Sequence, residues 1–452
     1  MTASYRMAFA MAWMLAAVGY SEDQPRFVVI MADDLGYGDL GCYGSRRIRT
    51  PRLDRLAAGG VRLTDFHSSG AVCSPTRAGL MTGRYQQRAG IPAVIFADPK
   101  RSTHPHGLQE GETTFAEVLG QNGYATALFG KWHLGYYPQY NPVRHGFDEF
   151  RGYVSGNVDF FSHVDQAGRL DWWRDGQLED EAGYTTHLIT RHAVRFIETN
   201  CQGPFCLYVA YEPPHYPYQG PGDAAIRKVG EPRGAAERQQ TAKSKRRAYR
   251  EMVEEMDRGV GELLDTLRRC NIEKETLVLF FSDNGATPLG SNGPWRGHKG
   301  QLWEGGHRVP CIASWPGRIP GNQTCNALAT TLDVMPTLLA AAGIQSPQTR
   351  PLDGCDLTNV FAGSAEPARR RVFWGHGRAR AMREGHWKLL RGVGGQTRPQ
   401  LFDLSQDPAE RDDRASAEPV RLAGMLMALK EWEQATKRGA TPQPDQVPAI
   451  RR

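Results

Sequence analysis

Four apolar runs constrain this chain more than any other feature, because each breaks off directly into polar residues. Phe27-Val28-Val29-Ile30-Met31 leads into Asp33-Asp34, and Ala125-Thr126-Ala127-Leu128-Phe129 leads into Gly130-Lys131-Trp132-His133. Phe205-Cys206-Leu207-Tyr208-Val209-Ala210 leads into Glu212-Pro213-Pro214-His215, and Leu277-Val278-Leu279-Phe280-Phe281 into Asp283-Asn284-Gly285. Continuous apolar runs suit strands covered on both faces of a largely parallel sheet. Helical patterns over 113–122, 184–198 and 247–269 lie between them; in the last, Val253, Met256, Val260, Leu263, Leu264 and Leu267 form an apolar stripe. Alternating strands and helices predict an α/β sandwich. In such folds ligands gather at the carboxyl ends of the strands, where all four polar clusters fall.

The pattern changes near residue 345. Short strand candidates at 371–374, 379–383, 387–390 and 400–404 predict a small antiparallel sheet, followed by a helix over 419–434. The polar, proline-bearing ending from 437 is expected to be frayed or docked without regular structure. At the other end, Arg6 is the only charge before Glu22, residues 7–18 are apolar, and Ala17-Val18-Gly19 offers small residues for cleavage. This reads as an export signal over 1–19, too short for a transmembrane helix. The expected organisation is therefore a signal at 1–19, a catalytic domain at 20–345, and a C-terminal subdomain and tail at 346–452. A soluble, exported protein, periplasmic or secreted, with no stable membrane insertion follows from it.

Net charge is +6, a mild excess that attracts anions. The local run Lys243-Ser244-Lys245-Arg246-Arg247 stands in no nucleic-acid module and reads as a solvated helix start, so no nucleic-acid partner is expected. Of the eight cysteines, seven remain once Cys73 is set aside, and none shows zinc spacing.

Cys73 opens the run Cys73-Ser74-Pro75-Thr76-Arg77. Proline is tolerated in a first helical turn, so the run suits a strand-to-helix turn with the thiol at the helix mouth, where free N–H groups attract anions. Arg77 lies one turn on, on the same face. Two readings stay open for this run alone: a buried cysteine beside an exposed arginine, or a reactive group inside an oxyanion site. Asp33-Asp34 and Asp283-Asn284 are equally good turn sequences taken singly. Together they supply oxygen ligands without sulfur or imidazole, a set that suits Ca²⁺ first and Mg²⁺ second. Lys131, His133, His215 and Lys299 add the cations and proton carriers needed around a tetrahedral anion.

On these residues the chain resembles the type I, formylglycine-dependent sulfatases of the alkaline phosphatase superfamily. The resemblance rests on Ala32-Asp33-Asp34-Leu35-Gly36, Cys73 to Arg77 with Leu80-Met81-Thr82-Gly83, and Gly130-Lys131-Trp132-His133-Leu134-Gly135. Ser282-Asp283-Asn284-Gly285, Lys299 with Trp303-Glu304-Gly305-Gly306, and Leu401-Phe402-Asp403-Leu404 continue it in order; Thr76 stands where serine is common. The resemblance implies an alkaline-phosphatase-like sandwich with a small C-terminal antiparallel sheet and helix. It implies that Cys73 is converted to 3-oxoalanine (formylglycine) by a formylglycine-generating or sulfatase-maturating enzyme. Asp33, Asp34, Asp283, Asn284 and residue 73 would hold the cation. The metal and Arg77 would favour ionisation of one hydroxyl of the hydrated aldehyde, which attacks sulfur. Lys131 and Lys299 would bind the sulfate oxygens, His215 with Lys299 would protonate the departing alcohol, and His133 would deprotonate the second hydroxyl to expel sulfate.

The resemblance also places Ser155 and 156–163 near the pocket rim, with Asp159 and His163 as sugar contacts. Trp172 and Trp173 are either a stacking platform or core. The expected function is hydrolysis of a sulfate ester, on a carbohydrate in preference to a small aromatic. Two rivals remain: a formylglycine-dependent phosphodiesterase or phosphonate monoester hydrolase, and an inactive sulfated-glycan-binding protein that keeps a thiol at position 73.

Overall fold

The computed structural model describes residues 24–231, 235–346, 350–363 and 370–445. The export signal expected at 1–19 lies outside them. All four apolar runs are strands: β1 (Arg26–Ala32), β2 (Ala125–Lys131), β3 (Phe205–Ala210) and β4 (Thr276–Ser282). They stand side by side in the order β4-β1-β3-β2, every pair parallel. The sheet extends beyond β2 through a parallel strand, Glu149–Tyr153, and beyond β4 through an antiparallel one, Cys311–Ser314. In all, ten strands join it among the described residues.

Alternation within each strand divides the core into two layers. Phe27, Val29, Met31, Tyr208, Leu279 and Phe281 face one way, with Leu80 and Met81 of helix α1 (Cys73–Thr82) packed on them. Val28, Ile30, Leu207, Val209 and Phe280 face the other way, under α2 (Thr185–Asn200) and α3 (Ala242–Arg269). The predicted stripe of α3 supplies Val253, Met256, Val260 and Leu263 to that layer. The helix begins five residues before the apolar stripe suggests. Thr241 accepts a hydrogen bond from the Ser244 N–H, and this cap lets the polar run 242–246 join the helix.

The C-terminal strands Arg371–His376, Ala379–Glu384, Trp387–Arg391 and Gln400–Asp403 form the expected antiparallel sheet, and a helix, Pro419–Arg438, follows. One face of this sheet packs Leu389 and Leu401 on Met425, Leu429 and Trp432 of the helix. The other buries Trp374, Leu390 and Phe402 against Ala71, Leu302 and Trp303. The small sheet therefore supports the two loops that precede Cys73 and follow Lys299. After the helix the chain docks without regular structure, Thr441 donating its N–H to the Arg88 carbonyl at 2.7 Å.

Candidate active site

Register along the central strands brings four distant segments to one level. Ala32 stands opposite Ser282, and Ala210 opposite Met31 and Gly130. The next residues of each strand are therefore neighbours: the Asp283 N–H donates to the Ala32 carbonyl, and the Asp33 N–H to the Pro213 carbonyl. Asp34 and His133 both adopt left-handed backbone conformations, with φ of 66° and 58°. Such conformations are uncommon outside glycine and cluster where side chains must be aimed. Gly285 lies so close to the short helix Glu304–His307 that a Cβ there would meet the Gly305 carbonyl oxygen at 1.9 Å.

Cys73 is the first residue of α1, after the extended Val72, and every side chain of this helix is buried. Pro75 sits in the first turn as the sequence predicts. The Arg77 guanidinium is only 1% exposed; it donates to the Lys131 carbonyl at 2.9 Å and to Asp283 Oδ2 at 3.0 Å. Burial opposes its charge, but Tyr208 and the Asp283 and Asp33 carboxylates outweigh that and hold it as a cation.

Around the thiol the charges alternate. Lys131 Nζ is 2.5 Å from Asp33 Oδ2; Lys299 Nζ is 2.5 Å from Asp34 Oδ1 and 3.4 Å from Cys73 Sγ. Burial disfavours both ammonium groups, yet these carboxylates raise their pKa values, so both stay protonated. Burial pushes the Cys73 thiol up to about 11, beyond what the two lysines reverse. An unmodified Cys73 is thus a thiol at neutral pH, not a thiolate nucleophile.

The carboxylates fit a hard cation. Burial, and then the nearby Asp33 carboxylate, raise Asp283 to about 6, so positive charge beside it is favourable. Asp34 Oδ2 and Asn284 Oδ1 are buried without a hydrogen-bond partner. Unpartnered buried acceptors are costly, and a metal ion is one way of satisfying them. Ligand atoms of Asp33, Asp34, Cys73 and His215 lie within 4.8 Å of one another. Asp283 adjoins this group, accepting the Asp34 N–H on Oδ1 at 3.2 Å, and the Asn284 amide donates to Asp34 Oδ1 at 2.8 Å. A second cluster, His67 with Glu304 and His307, offers similar atoms. There the Lys388 ammonium already stands 2.9 Å from Glu304 Oε1 and 3.3 Å from His307 Nε2, in the place a cation would take.

Hydrogen bonds assign the tautomers of the two site histidines. His215 Nδ1 lies 2.7 Å from the Tyr216 carbonyl, so its proton is there and Nε2, 3.7 Å from Asp34 Oδ2, keeps its lone pair. His133 donates from Nε2 to the Ile95 carbonyl at 2.9 Å, which leaves Nδ1 as a buried acceptor without a partner. Burial first and neighbouring lysines second hold both rings well below the ordinary imidazole range.

The remaining sequence candidates stand differently. Ser155 Oγ donates to the Asn157 carbonyl, and the adjacent Gly156 packs on the His133 ring. Asp159 is fully buried and accepts the N–H groups of Phe161, Ser162, Ile226 and Arg227. His163 stacks on Trp172 at 4.7 Å and hydrogen-bonds the Gly183 carbonyl. The structure does not bring Asp159 and His163 into the Cys73 cluster, and their polar atoms bond within the 157–227 loops. Trp172 is core. Two residues beside the site carried no sequence assignment. Tyr208 lies 3.4 Å from Arg77 Nη1, and Glu212, raised well above the carboxylate range by burial, accepts the Val158 N–H. Strand alternation places Tyr208 on the α1 face, which was the available signal.

Comparison with known proteins agrees with this geometry. The sulfatase family model matches residues 25–344, and the model for the N-sulphoglucosamine sulphohydrolase C-terminal region matches 298–431. N-acetylgalactosamine-6-sulfatase of Mus musculus is 36% identical over 74% of this chain, which spans 65% of that relative's length. Arylsulfatase G of Canis lupus familiaris is 34% identical over 90% of this chain and 84% of its own. The solved structure of Ps i-CgsB in complex with k-i-k-neocarrahexaose superposes with a TM-score of 0.82 at 29% identity, covering 93% of this chain and 95% of that one. By sequence and by fold, the chain belongs to the sulfatase family.

Proposed function

We propose that this protein hydrolyses sulfate esters carried on a carbohydrate, releasing an alcohol and sulfate. The observation that carries this reading is the position of Cys73, at a helix N-terminus between a buried and a half-buried ammonium group and three carboxylates. Relatives named for N-acetylgalactosamine 6-sulfate and a fold neighbour holding a carrageenan oligosaccharide support a sugar as the substrate class.

Asp33, Asp34, Asp283, Asn284 and residue 73 are the residues that would hold the cation, Ca²⁺ ahead of Mg²⁺ because the donors are all hard oxygens in an irregular array. The metal would supply Lewis-acid stabilisation of an oxyanion, and formylglycine at position 73 a hydroxyl nucleophile that can later release sulfate by carbonyl collapse. The chain's own side chains supply the rest. Lys131 and Lys299 are fixed cations for the sulfate oxygens and for charge developing in the transition state. Arg77 ties β2 to Asp283 and so sets the distance between the two halves of the site. Lys299, protonated and beside the thiol, is the first proton donor for the departing alcohol. His215 takes that role only once an anion beside it raises its pKa. His133 Nδ1 is the base.

No helix among the described residues is long and apolar enough to cross a membrane, and the apolar leader at the N-terminus supports export. Purified protein is tested on defined sulfated saccharides, with an aryl sulfate and an aryl phosphodiester as references. Sulfate release from a subset of the saccharides is expected. A strong preference for the diester would replace this reading with the phosphodiesterase one, and binding without turnover at an unmodified Cys73 with the glycan-binding one.

A further inference from the structure

A cleft of about 1270 Å³ borders the loops that follow Asp33–Asp34 and Asn284, and six cationic side chains line it: Arg46, Arg47, Lys243, Arg246, Arg247 and Arg250. All six are exposed. Arg247 is paired with Asp223 and Glu251, but no ion pair forms to the other five among the described residues. Single exposed arginines elsewhere among the described residues are paired in places, as at Arg191–Glu181, and stand alone in others, as at Arg55 and Arg174; what sets the cleft apart is that five stand together. Five uncompensated cations in one concavity repel one another, and an anion relieves that repulsion.

Their arrangement is linear. Lys243, Arg246, Arg247 and Arg250 fall at helical spacing along the first two turns of α3, so they form a stripe with neighbours about 5–6 Å apart, the scale of one sugar ring. Arg46 and Arg47 face them from the loop after the 3₁₀ turn Gly41–Tyr43. The floor is apolar or committed: Tyr249 donates to Asp39 Oδ2 at 2.6 Å, and Asp39 Oδ1 accepts the Ser291 N–H. No free aromatic face is offered for stacking a nucleobase, which argues against a single-stranded nucleic acid.

The walls of the cleft belong to two loops that also carry residues of the Cys73 site. Gly38 and Asp39 follow the Asp33–Asp34 pair on the same loop, and Gly290 and Ser291 lie between Asn284 and Lys299. The Gly38 N–H donates to the Ser291 carbonyl at 2.7 Å, joining the two loops. We propose that this cleft binds further sulfate groups of a multiply sulfated glycan while one sulfate ester lies at position 73. The assignment rests on the sulfate-ester reading of the Cys73 site, and it specifies a polyanionic substrate in place of a singly sulfated sugar.

The test uses the full-length protein and a triple variant, Arg46→Gln, Arg246→Gln and Arg250→Gln, which spares every residue of the Cys73 site. Dextran sulfate is the binding probe, with unsulfated dextran and single-stranded DNA as controls, and aryl sulfate turnover is measured in parallel. Expected are a tenfold or greater loss of dextran sulfate affinity, a shallower dependence of that affinity on salt, and aryl sulfate turnover within twofold of wild type. Unchanged dextran sulfate affinity overturns the proposal. So does DNA bound as tightly as dextran sulfate and weakened equally, because the cleft would then recognise charge alone. If the triple variant is poorly folded, Arg250→Glu alone carries the same comparison. The two readings fail separately: a wild-type protein inactive on every sulfate ester refutes the reaction, while unchanged affinity in an active variant refutes only the cleft.

Discussion

The Lys299 ammonium lies 3.4 Å from the Cys73 sulfur and 2.5 Å from Asp34 Oδ1, so one side chain joins the modified position to the cation ligands. Removing it takes away both a transition-state charge and a proton donor. Lys299→Gln is expected to lower kcat/KM by about 10²–10⁴. The loss grows as the leaving group becomes more basic. A series of aryl sulfates reads this directly, and an equal loss across the series would remove Lys299 from the proton-donor role.

Cys73→Ala deletes one buried atom and two long sulfur contacts, to Asp33 Oδ1 at 3.8 Å and from Lys299 Nζ at 3.4 Å, and no hydrogen bond between backbone groups. Turnover is expected to vanish while the thermal transition moves by only a few degrees. Near-normal turnover in this variant would show that the nucleophile lies elsewhere. Mass spectrometry of the peptide containing residue 73 checks the companion expectation, an aldehyde in place of the thiol in protein from a competent host.

Chelation is expected to lower Tm, because Asp34 Oδ2 and Asn284 Oδ1 lose their satisfying partner. Added Ca²⁺ should restore it in a concentration-dependent way, more effectively than Mg²⁺. Asn284→Ala weakens the response. Equal recovery with both ions would reverse the preference for calcium.

Asp257 on α3 gives a pH signature away from the reaction centre. It accepts the N–H groups of Leu53 and Arg52, and burial nonetheless raises it from 3.8 to about 6. Between those values the folded protein keeps a proton that the unfolded chain has released. This group's contribution to stability therefore falls as pH rises from about 4 to about 6, and levels off above. Asp257→Asn should flatten that part of the Tm–pH curve, and an unchanged slope would refute the assignment.

Lys388 neutralises Glu304 and Glu410 where no water reaches them. Lys388→Met leaves the buried Glu410 without its cation and Glu304 with only Arg308 and Arg383, at a cost of about 3–5 kcal/mol. Denaturant unfolding measures it. A loss below about 1 kcal/mol would mean that Arg383 and Arg308 alone suffice.

The central fold was legible in the sequence because two-sided burial leaves an uninterrupted apolar run, and because each run stops where chemistry begins. Residues 27–31 and 277–281 are examples, and the parallel register then makes Asp33 and Asp283 neighbours. The Cys73, Lys131 and Lys299 cluster was legible for the same reason. Asp159 and His163 were not, since a loop carboxylate that caps four backbone N–H groups looks in sequence like one that meets a ligand. Tyr208 was hidden inside an apolar run, and its hydroxyl matters only because Arg77 arrives from another segment. The buried ion network of Asp65, Glu304, Arg383 and Lys388 joins residues from 79 to 318 positions apart, and no local pattern marks such a partner.

The near-complete enclosure of Cys73 has a consequence in time. Its side chain is covered by segments made much later, up to Lys299, 226 residues downstream. At ~5–20 residues per second, about 10–45 s of synthesis separate the two. Throughout that interval the sulfur is reachable on an unfinished chain; once Lys299 has docked, it is not. Any catalyst that must act on this side chain has its opportunity during biogenesis, and a molecule that folds before being visited is sealed in the untreated state.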